Sequence, residues 1–185
     1  MGLIVTTPPT VWPVLLAEAK QHLRVSASDE DAQIGVLIKS AVRHIENTLG
    51  RTLAVQSYRL TLDAFADAIE LPRGPVASVE SVKYIDVNGA EQTIPTSVYT
   101  VDVVSRKQWV VLNAGETWPE TLDAINVVTV DYTAGDTPED LFHAVLFLIG
   151  HFYLNREAAT ERGGQELPLA VDSLLLPYRD VWIGA

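Results

Sequence analysis

Apolar residues recur every three or four positions in four separate segments of the chain. This spacing is typical of amphipathic helices, and it predicts helices over about residues 15–24, 29–49, 138–154 and 169–176. The second segment has the most regular apolar face, made of Ile34, Leu37, Ile38, Ala41, Ile45 and Leu49. The third segment is apolar almost all round, which is typical of a helix in a core or covered by a neighbouring subunit.

Between residues 52 and 134 the repeat shortens to two, as in strands that bury one face. Apolar and polar residues alternate at 58–62 and again at 128–132. Asn88-Gly89 separates two such runs and predicts a hairpin, because both residues tolerate the positive φ of a type I′ turn. Several prolines keep the predicted strands short.

Together these elements predict an α+β fold. Its helical core, with long helices near both ends of the chain, carries a β-rich antiparallel insertion in the middle. We expect a single domain over residues 1–185. The helical core is predicted at about 14–50 and 137–178, the insertion at about 52–134, and a C-terminal tail at 177–185.

The ends of the second helix carry recognisable signals. Ser28 followed by Asp31 resembles a capping box, and the acidic trio Asp29, Glu30 and Asp31 lies where a helix dipole favours negative charge. Capping therefore accounts for the trio without a metal ion. Gly50 is expected to end the helix, because glycine readily adopts the left-handed conformation found there.

The sequence contains none of the common catalytic or phosphate-binding motifs. It has no cysteine, which excludes a disulfide framework, a thiolate zinc site and a cysteine nucleophile. His143 and His151 share one predicted helix face, but two imidazoles are fewer than the three or four ligands of a zinc site. We therefore expect no catalytic, cofactor-binding or metal-binding residues and a protein that is not an enzyme.

The formal net charge of −11 disfavours a DNA-binding role. A protein that grips DNA neutralises phosphates with Lys and Arg, so an acidic chain is a poor candidate for tight or sequence-specific binding. Solubility alone explains the charge, and a wall along which DNA passes without binding becomes an alternative only if other evidence places DNA nearby. We also expect no membrane association, because no secretory signal is visible and the apolar stretch 141–154 is shorter than the about 20 residues of a bilayer span.

The order of several short motifs resembles the head–tail connector (adaptor) family of tailed phages and gene transfer agents. The first motif is Leu16-Ala17-Glu18-Ala19-Lys20-Gln21-His22-Leu23-Arg24-Val25, followed by Asp29-Glu30-Asp31 and a helix ending Gly50-Arg51. Later matches include Leu71-Pro72-Arg73, Trp118-Pro119, Asn155-Arg156-Glu157 and Pro177-Tyr178-Arg179. Leu49 stands where that family usually has threonine. The resemblance covers residues 14 to 182.

The resemblance implies a structural subunit that forms a ring, commonly twelvefold, beneath the portal of a filled particle. Such a ring extends the channel for double-stranded DNA without sequence-specific binding and docks the tail or a stopper protein. The implied location is the neck of a phage or phage-like particle assembled in the host bacterial cytoplasm. The alternatives are another neck component, such as a stopper or tail-completion protein, and an enzyme of unknown type. The two long helices argue against the first, because stoppers are more fully β.

The C-terminal tail is the first candidate for contact with the portal. Aromatic side chains that dock in a partner pocket often dominate interface energy. The candidate portal-binding residues are Pro177, Tyr178, Arg179, Val181, Trp182 and Ile183. The alternative is that Trp182 folds back onto the helices of its own chain.

Overall fold

The structure is a computed structural model that describes residues 1–155 and 169–179. The chain divides into two compact units. We call residues 1–10 and 55–136 the β unit, and residues 11–54 with the described residues from 137 onwards the helical unit. The prediction of a single domain stays a prediction, which one cooperative unfolding transition would support.

The β unit contains two antiparallel sheets. A five-stranded sheet has the order β1-β2-β8-β4-β5, and a three-stranded sheet has the order β3-β7-β6. The strands are β1 (Gly2–Thr7), β2 (Gln56–Leu62), β3 (Ala68–Leu71), β4 (Val76–Ile85), β5 (Glu91–Thr93), β6 (Tyr99–Asp102), β7 (Gln108–Leu112) and β8 (Val128–Ala134).

The alternation along β2 and β8 produces one buried face and one polar face, as predicted. Leu60 lies opposite Val130 in the ladder, and both are fully buried. Tyr58 and Tyr132 are also paired, and their rings stack with centroids 5.5 Å apart. On the other face Arg59 forms a bidentate ion pair with Asp131, with N···O distances of 2.7 and 3.0 Å. The buried residues of both sheets share one apolar cluster, so the β unit has its own core.

Tyr132 should make the β unit sensitive to alkali. Burial, then the neighbouring Tyr58, raises the pKa of Tyr132, whose hydroxyl donates to the Pro72 carbonyl. The folded protein therefore keeps this hydroxyl protonated to a higher pH than the unfolded chain does. The free energy of unfolding keeps its full value below the unfolded pKa of about 10 and decreases as the pH rises above it. In urea titrations at pH 7, we expect Tyr132→Phe to lower the free energy of unfolding by about 1 kcal/mol. Between pH 7 and pH 11, the variant should lose less of its free energy of unfolding than the wild type does. An equal loss in both proteins would contradict the prediction.

The helical unit contains α1 (Leu16–Leu23), α2 (Asp31–Leu49), α3 (Glu139–Leu154), α4 (Leu169–Leu175) and a single 3-10 turn, Leu176–Tyr178. The predicted apolar face of α2 is largely buried, and Gly50 ends the helix with a φ of 63°. Five residues of α3 are fully buried: Leu141, Ala144, Val145, Leu148 and Ile149. They join α1, α2 and α4 in a second apolar cluster, the core of the helical unit.

The predicted α+β class with antiparallel sheets is confirmed, but the placement of helices near both chain ends is not well matched. The helices occupy 16–49 and 139–178, and the first element of the chain is a strand. β1 pairs with β2, with Leu3 opposite Leu60, so residues 1–10 belong to the β unit. The sequence analysis did not predict this strand, because its apolar residues are consecutive rather than alternating. Its partner strand, β2, also lies more than fifty residues further along the chain.

The predicted hairpin at Asn88-Gly89 exists between β4 and β5, but its turn is not type I′. Only Gly89 has a positive φ, at 84°, whereas Asn88 has not. The Asp86 carboxylate accepts hydrogen bonds from the backbone N–H groups of Asn88 and Ala90, at 2.9 and 3.0 Å. These bonds lower the pKa of Asp86 and close a longer loop than the dipeptide alone would form.

Candidate assembly surfaces

The predicted portal-binding residues fall partly outside the described chain. Pro177 is exposed, whereas Tyr178 and Arg179 are half-buried. Val181, Trp182 and Ile183 lie outside the described residues. The contact of all six with a portal therefore stays a prediction.

Tyr178 and Arg179 are held by the helical unit itself. The Arg51 guanidinium lies 5.3 Å from the centre of the Tyr178 ring, and Arg179 forms an ion pair with Asp172 on α4. Tyr178 also packs on the helical core, next to the buried Leu175. These contacts hold Tyr178 and Arg179 on the helical unit.

The capping box predicted from Ser28 and Asp31 does not form at the start of α2. The helix begins at Asp31 after an N-cap residue, Glu30, whose side chain makes no capping hydrogen bond. Instead Asp31 forms an ion pair with Lys20 of α1, and Glu30 accepts a 2.6 Å hydrogen bond from the Tyr153 hydroxyl of α3. The carboxylates tie neighbouring helices together because tertiary donors reach them.

An exposed turn connects β6 to β7. We define residues 103–107 as the basic tip, with the sequence Val-Val-Ser-Arg-Lys. Val104 is 94% exposed, Arg106 and Lys107 are exposed, and the Lys107 Nζ lies 3.0 Å from the Glu70 carboxylate. The tip thus combines a solvated apolar side chain with two adjacent cations.

The basic tip is held in one conformation by side chains at its base. The Asp102 carboxylate accepts hydrogen bonds from the backbone N–H groups of Val104 and Ser105 and from the Ser105 hydroxyl, which lowers the pKa of Asp102. The buried Gln108 amide donates to the Val103 carbonyl and accepts from the Val76 N–H. Gln108 therefore fastens the tip to β4.

Acidic loops gather at the opposite end of β7. We define the acidic end as residues 63–67 with residues 113–126, and its five acids are Asp63, Asp67, Glu116, Glu120 and Asp123. Trp118 holds the two loops together, since its ring stacks on Phe65 at 4.5 Å and its indole N–H donates to the Ala66 carbonyl. Ile125 is 78% exposed among these acids.

The β unit carries most of the negative charge of the chain. It has twelve Asp and Glu against five Lys and Arg, a net −7 of the total −11. Three of the five cations, Arg73, Arg106 and Lys107, lie at the basic-tip end of β7, because Leu71 pairs with Gln108 at that end. No Lys or Arg belongs to the acidic end.

Sequence reasoning missed both surfaces. Arg106-Lys107 is the only pair of adjacent cations in the sequence, and this is a usable signal in an acidic chain. The acids at 63–67 and 116–123 are far apart in sequence, and they come together through the Trp118–Phe65 stack and the pairing of β3 with β7.

The described residues contain no arrangement typical of a metal centre. Within 1–155 and 169–179, no three His, Asp or Glu side chains are placed to share an ion. His143 lies 3.9 Å from Glu139, whereas His151 lies 3.3 Å from the Asn155 amide, so the two histidines have separate partners. In the same residues, no helix is both long and apolar enough to cross a bilayer.

Comparison with known proteins connects this architecture to particle necks. Residues 14–108, just over half of the chain, match the profile of a family described as Phage gp6-like head-tail connector protein. No curated protein matches the sequence significantly. A solved chain from the "Virion of native gene transfer agent (GTA) particle" is 26% identical, with a TM-score of 0.79 over 99% of this chain and 97% of that one.

Two further solved structures share the fold. A chain from the "Neck of empty GTA particle computed with C6 symmetry" is 24% identical with a TM-score of 0.81. A chain from the "Neck of native GTA particle computed with C12 symmetry" is 24% identical with a TM-score of 0.78. Each similarity covers 99% of this chain and 97% of the other.

Proposed function

The chain belongs to the phage gp6-like head-tail connector family, and on that premise we propose that it is an adaptor subunit in the neck of a phage or phage-like particle. Copies form a ring under the portal, extend the DNA channel and dock the tail or a stopper protein. The observation that carries this proposal is the 26% identity and TM-score of 0.79 to a chain from a gene transfer agent virion. That similarity spans both chains almost end to end, so the whole fold supports it.

A ring of twelve copies is the assembly we propose. A neck with which this chain shares its fold was computed with C12 symmetry, and another with C6 symmetry, which divides twelve. The ring is assembled in the host bacterial cytoplasm and remains in the neck of the particle. The role is structural and requires no catalytic group or cofactor.

The acidic β unit supports passage of DNA without retention. A lumen lined by several copies of a unit with net charge −7 would repel phosphates, so a duplex would slide along it. The proposal requires acids of the β unit to face the ring axis. A reconstruction of the ring in which they lie on the outer surface would contradict this part of it.

The direct test is to mix the purified chain with the portal protein encoded beside its gene and to image the product by electron microscopy. We expect an additional ring of density coaxial with the portal. The control is the portal alone, which must itself form complete rings. Portal rings that bind none of the added chain would overturn the adaptor role and favour a more distal neck component.

The C-terminal tail should contribute to the affinity for the portal. Deleting residues 180–185 removes Val181, Trp182 and Ile183 but retains Tyr178 and Arg179, which the helical unit needs. Loss of an aromatic anchor from an interface commonly costs about 2 kcal/mol, so we expect roughly 30-fold weaker binding to the portal. Trp182→Phe, which keeps an aromatic ring, should lose much less affinity. Equal affinities for wild type and the deletion variant would favour a tail folded onto its own chain.

A further inference from the structure

We propose that adjacent copies in the ring bind head to tail, with the basic tip of one copy docked on the acidic end of the next. This inference rests on the proposed ring and names the surfaces that close it. The occupant of each surface is a second copy of the same chain.

Charge is the first reason for pairing these two surfaces. Copies with a net charge of −11 repel each other, and a contact between two acidic faces would be unfavourable. The basic tip presents the exposed Arg106 and Lys107, of which Lys107 is also paired with Glu70, whereas the acidic end presents five carboxylates and no cation. Joining the two converts repulsion into attraction at the place where neighbouring copies touch.

Position is the second reason. The basic tip precedes β7 and the acidic end follows it, so the two lie about 17 Å apart at opposite ends of one five-residue strand. The basic tip of one copy therefore cannot dock on the acidic end of that same copy. Contact between two different surfaces is heterologous and propagates from copy to copy until a ring closes, whereas a contact between identical surfaces stops at a dimer.

Each surface also supplies an apolar residue for the centre of the contact. Val104 is 94% exposed at the basic tip and Ile125 is 78% exposed at the acidic end. Burial of such side chains within a rim of charged groups is the usual anatomy of a protein interface. Joining the two surfaces would bring both side chains out of water.

Both surfaces are already ordered in a single copy. Asp102 and Gln108 fix the basic tip, and the Trp118–Phe65 stack fixes the acidic end. A surface that is ordered before binding loses less conformational entropy when it docks. The smaller entropy loss favours a contact that must form between every pair of neighbouring copies in a ring.

The test uses the absence of cysteine from the chain. Val104→Cys and Ile125→Cys, combined in one chain, should give covalent multimers when portal-bound rings are treated with a short bismaleimide crosslinker. Each single variant should give none. The combination of Val104→Cys with Val55→Cys is the matched control and should also give none, because Val55 is a 58% exposed valine that precedes β2, at the opposite end of that strand from Asp63.

Charge reversal tests the electrostatic part. Two variants should each weaken subunit association roughly 100-fold. The tip variant combines Arg106→Glu with Lys107→Glu, and the end variant combines Glu116→Lys, Glu120→Lys and Asp123→Lys. Mixing the two variants should restore rings in which they alternate, because the acidic tip of one then meets the basic end of the other. The control variant combines Lys39→Glu with Arg43→Glu, two exposed positions of α2. It changes the net charge by the same amount as the tip variant and should assemble normally.

The outcomes separate this inference from the proposed function. Complete rings on the portal without 104–125 crosslinks would overturn head-to-tail docking and leave the adaptor role intact. Portal rings that bind none of the chain, together with 104–125 crosslinks at high concentration in solution, would overturn the adaptor role and support the contact. Failure of the variant mixture to restore rings would contradict the electrostatic pairing.

Discussion

Leu148→Ala should destabilise the helical unit by about 2–5 kcal/mol, the usual cost of leaving a cavity at a fully buried leucine. Leu148 lies in α3 with no solvent exposure, within the cluster that joins the four helices. Much of the stability of a small unit depends on such residues, because net stabilities are only about 5–15 kcal/mol. The measurement is urea unfolding followed by circular dichroism at 222 nm.

The matched control for this substitution is in the same helix. Leu154 is 82% exposed, so Leu154→Ala removes the same atoms without leaving a cavity and should change the free energy of unfolding by less than about 0.5 kcal/mol. Equal losses for the two variants would mean that α3 is not packed as described. A large loss at Leu154 alone would indicate that a neighbouring copy covers it.

Glu46→Ala should cost about 2–4 kcal/mol for a different reason. Glu46 is a buried carboxylate of α2 that accepts hydrogen bonds from the backbone N–H groups of Leu53 and Ala54, at 2.8 and 3.2 Å. Its removal leaves two buried donors without this acceptor, and each unsatisfied donor costs about 1–3 kcal/mol. The same urea titration reports the loss.

Glu46→Gln distinguishes hydrogen bonding from charge. Glutamine keeps one carbonyl oxygen that can accept both bonds, so we expect it to lose about 1 kcal/mol, well below the alanine variant. A glutamine variant as unstable as the alanine variant would show that the negative charge, rather than the acceptor, stabilises the segment after α2.

Local patterns were sufficient to predict the helices and the central strands. The three- and four-residue spacing from Ile34 to Leu49 defines α2, and the alternation at 58–62 and 128–132 defines two paired strands. These predictions succeeded because neighbours in sequence determine which side of an element is buried.

Features that depend on distant partners could not be predicted in the same way. β1 is a strand because β2 pairs with it, and Asp31 binds Lys20 because two helices bring them together. The two loops of the acidic end become one surface because β3 pairs with β7, a pairing between segments about forty residues apart. The family resemblance predicted the ring but not the residues of its contacts.

The pairing of Gln56 with Ala134 has a consequence for how the chain folds during synthesis. These residues lie side by side at one end of the β2–β8 ladder, so the helical segments that flank the β unit are joined to adjacent points. Closing an unstructured loop of about 80 residues costs roughly 4 kcal/mol in chain entropy. The β unit offsets this cost if it folds first, since most of it leaves the ribosome before α3. Until the β unit has folded and α3 has been synthesised, the apolar faces of α1 and α2 remain exposed to solvent. Packing of α3 against these two helices therefore depends on prior folding of the β unit.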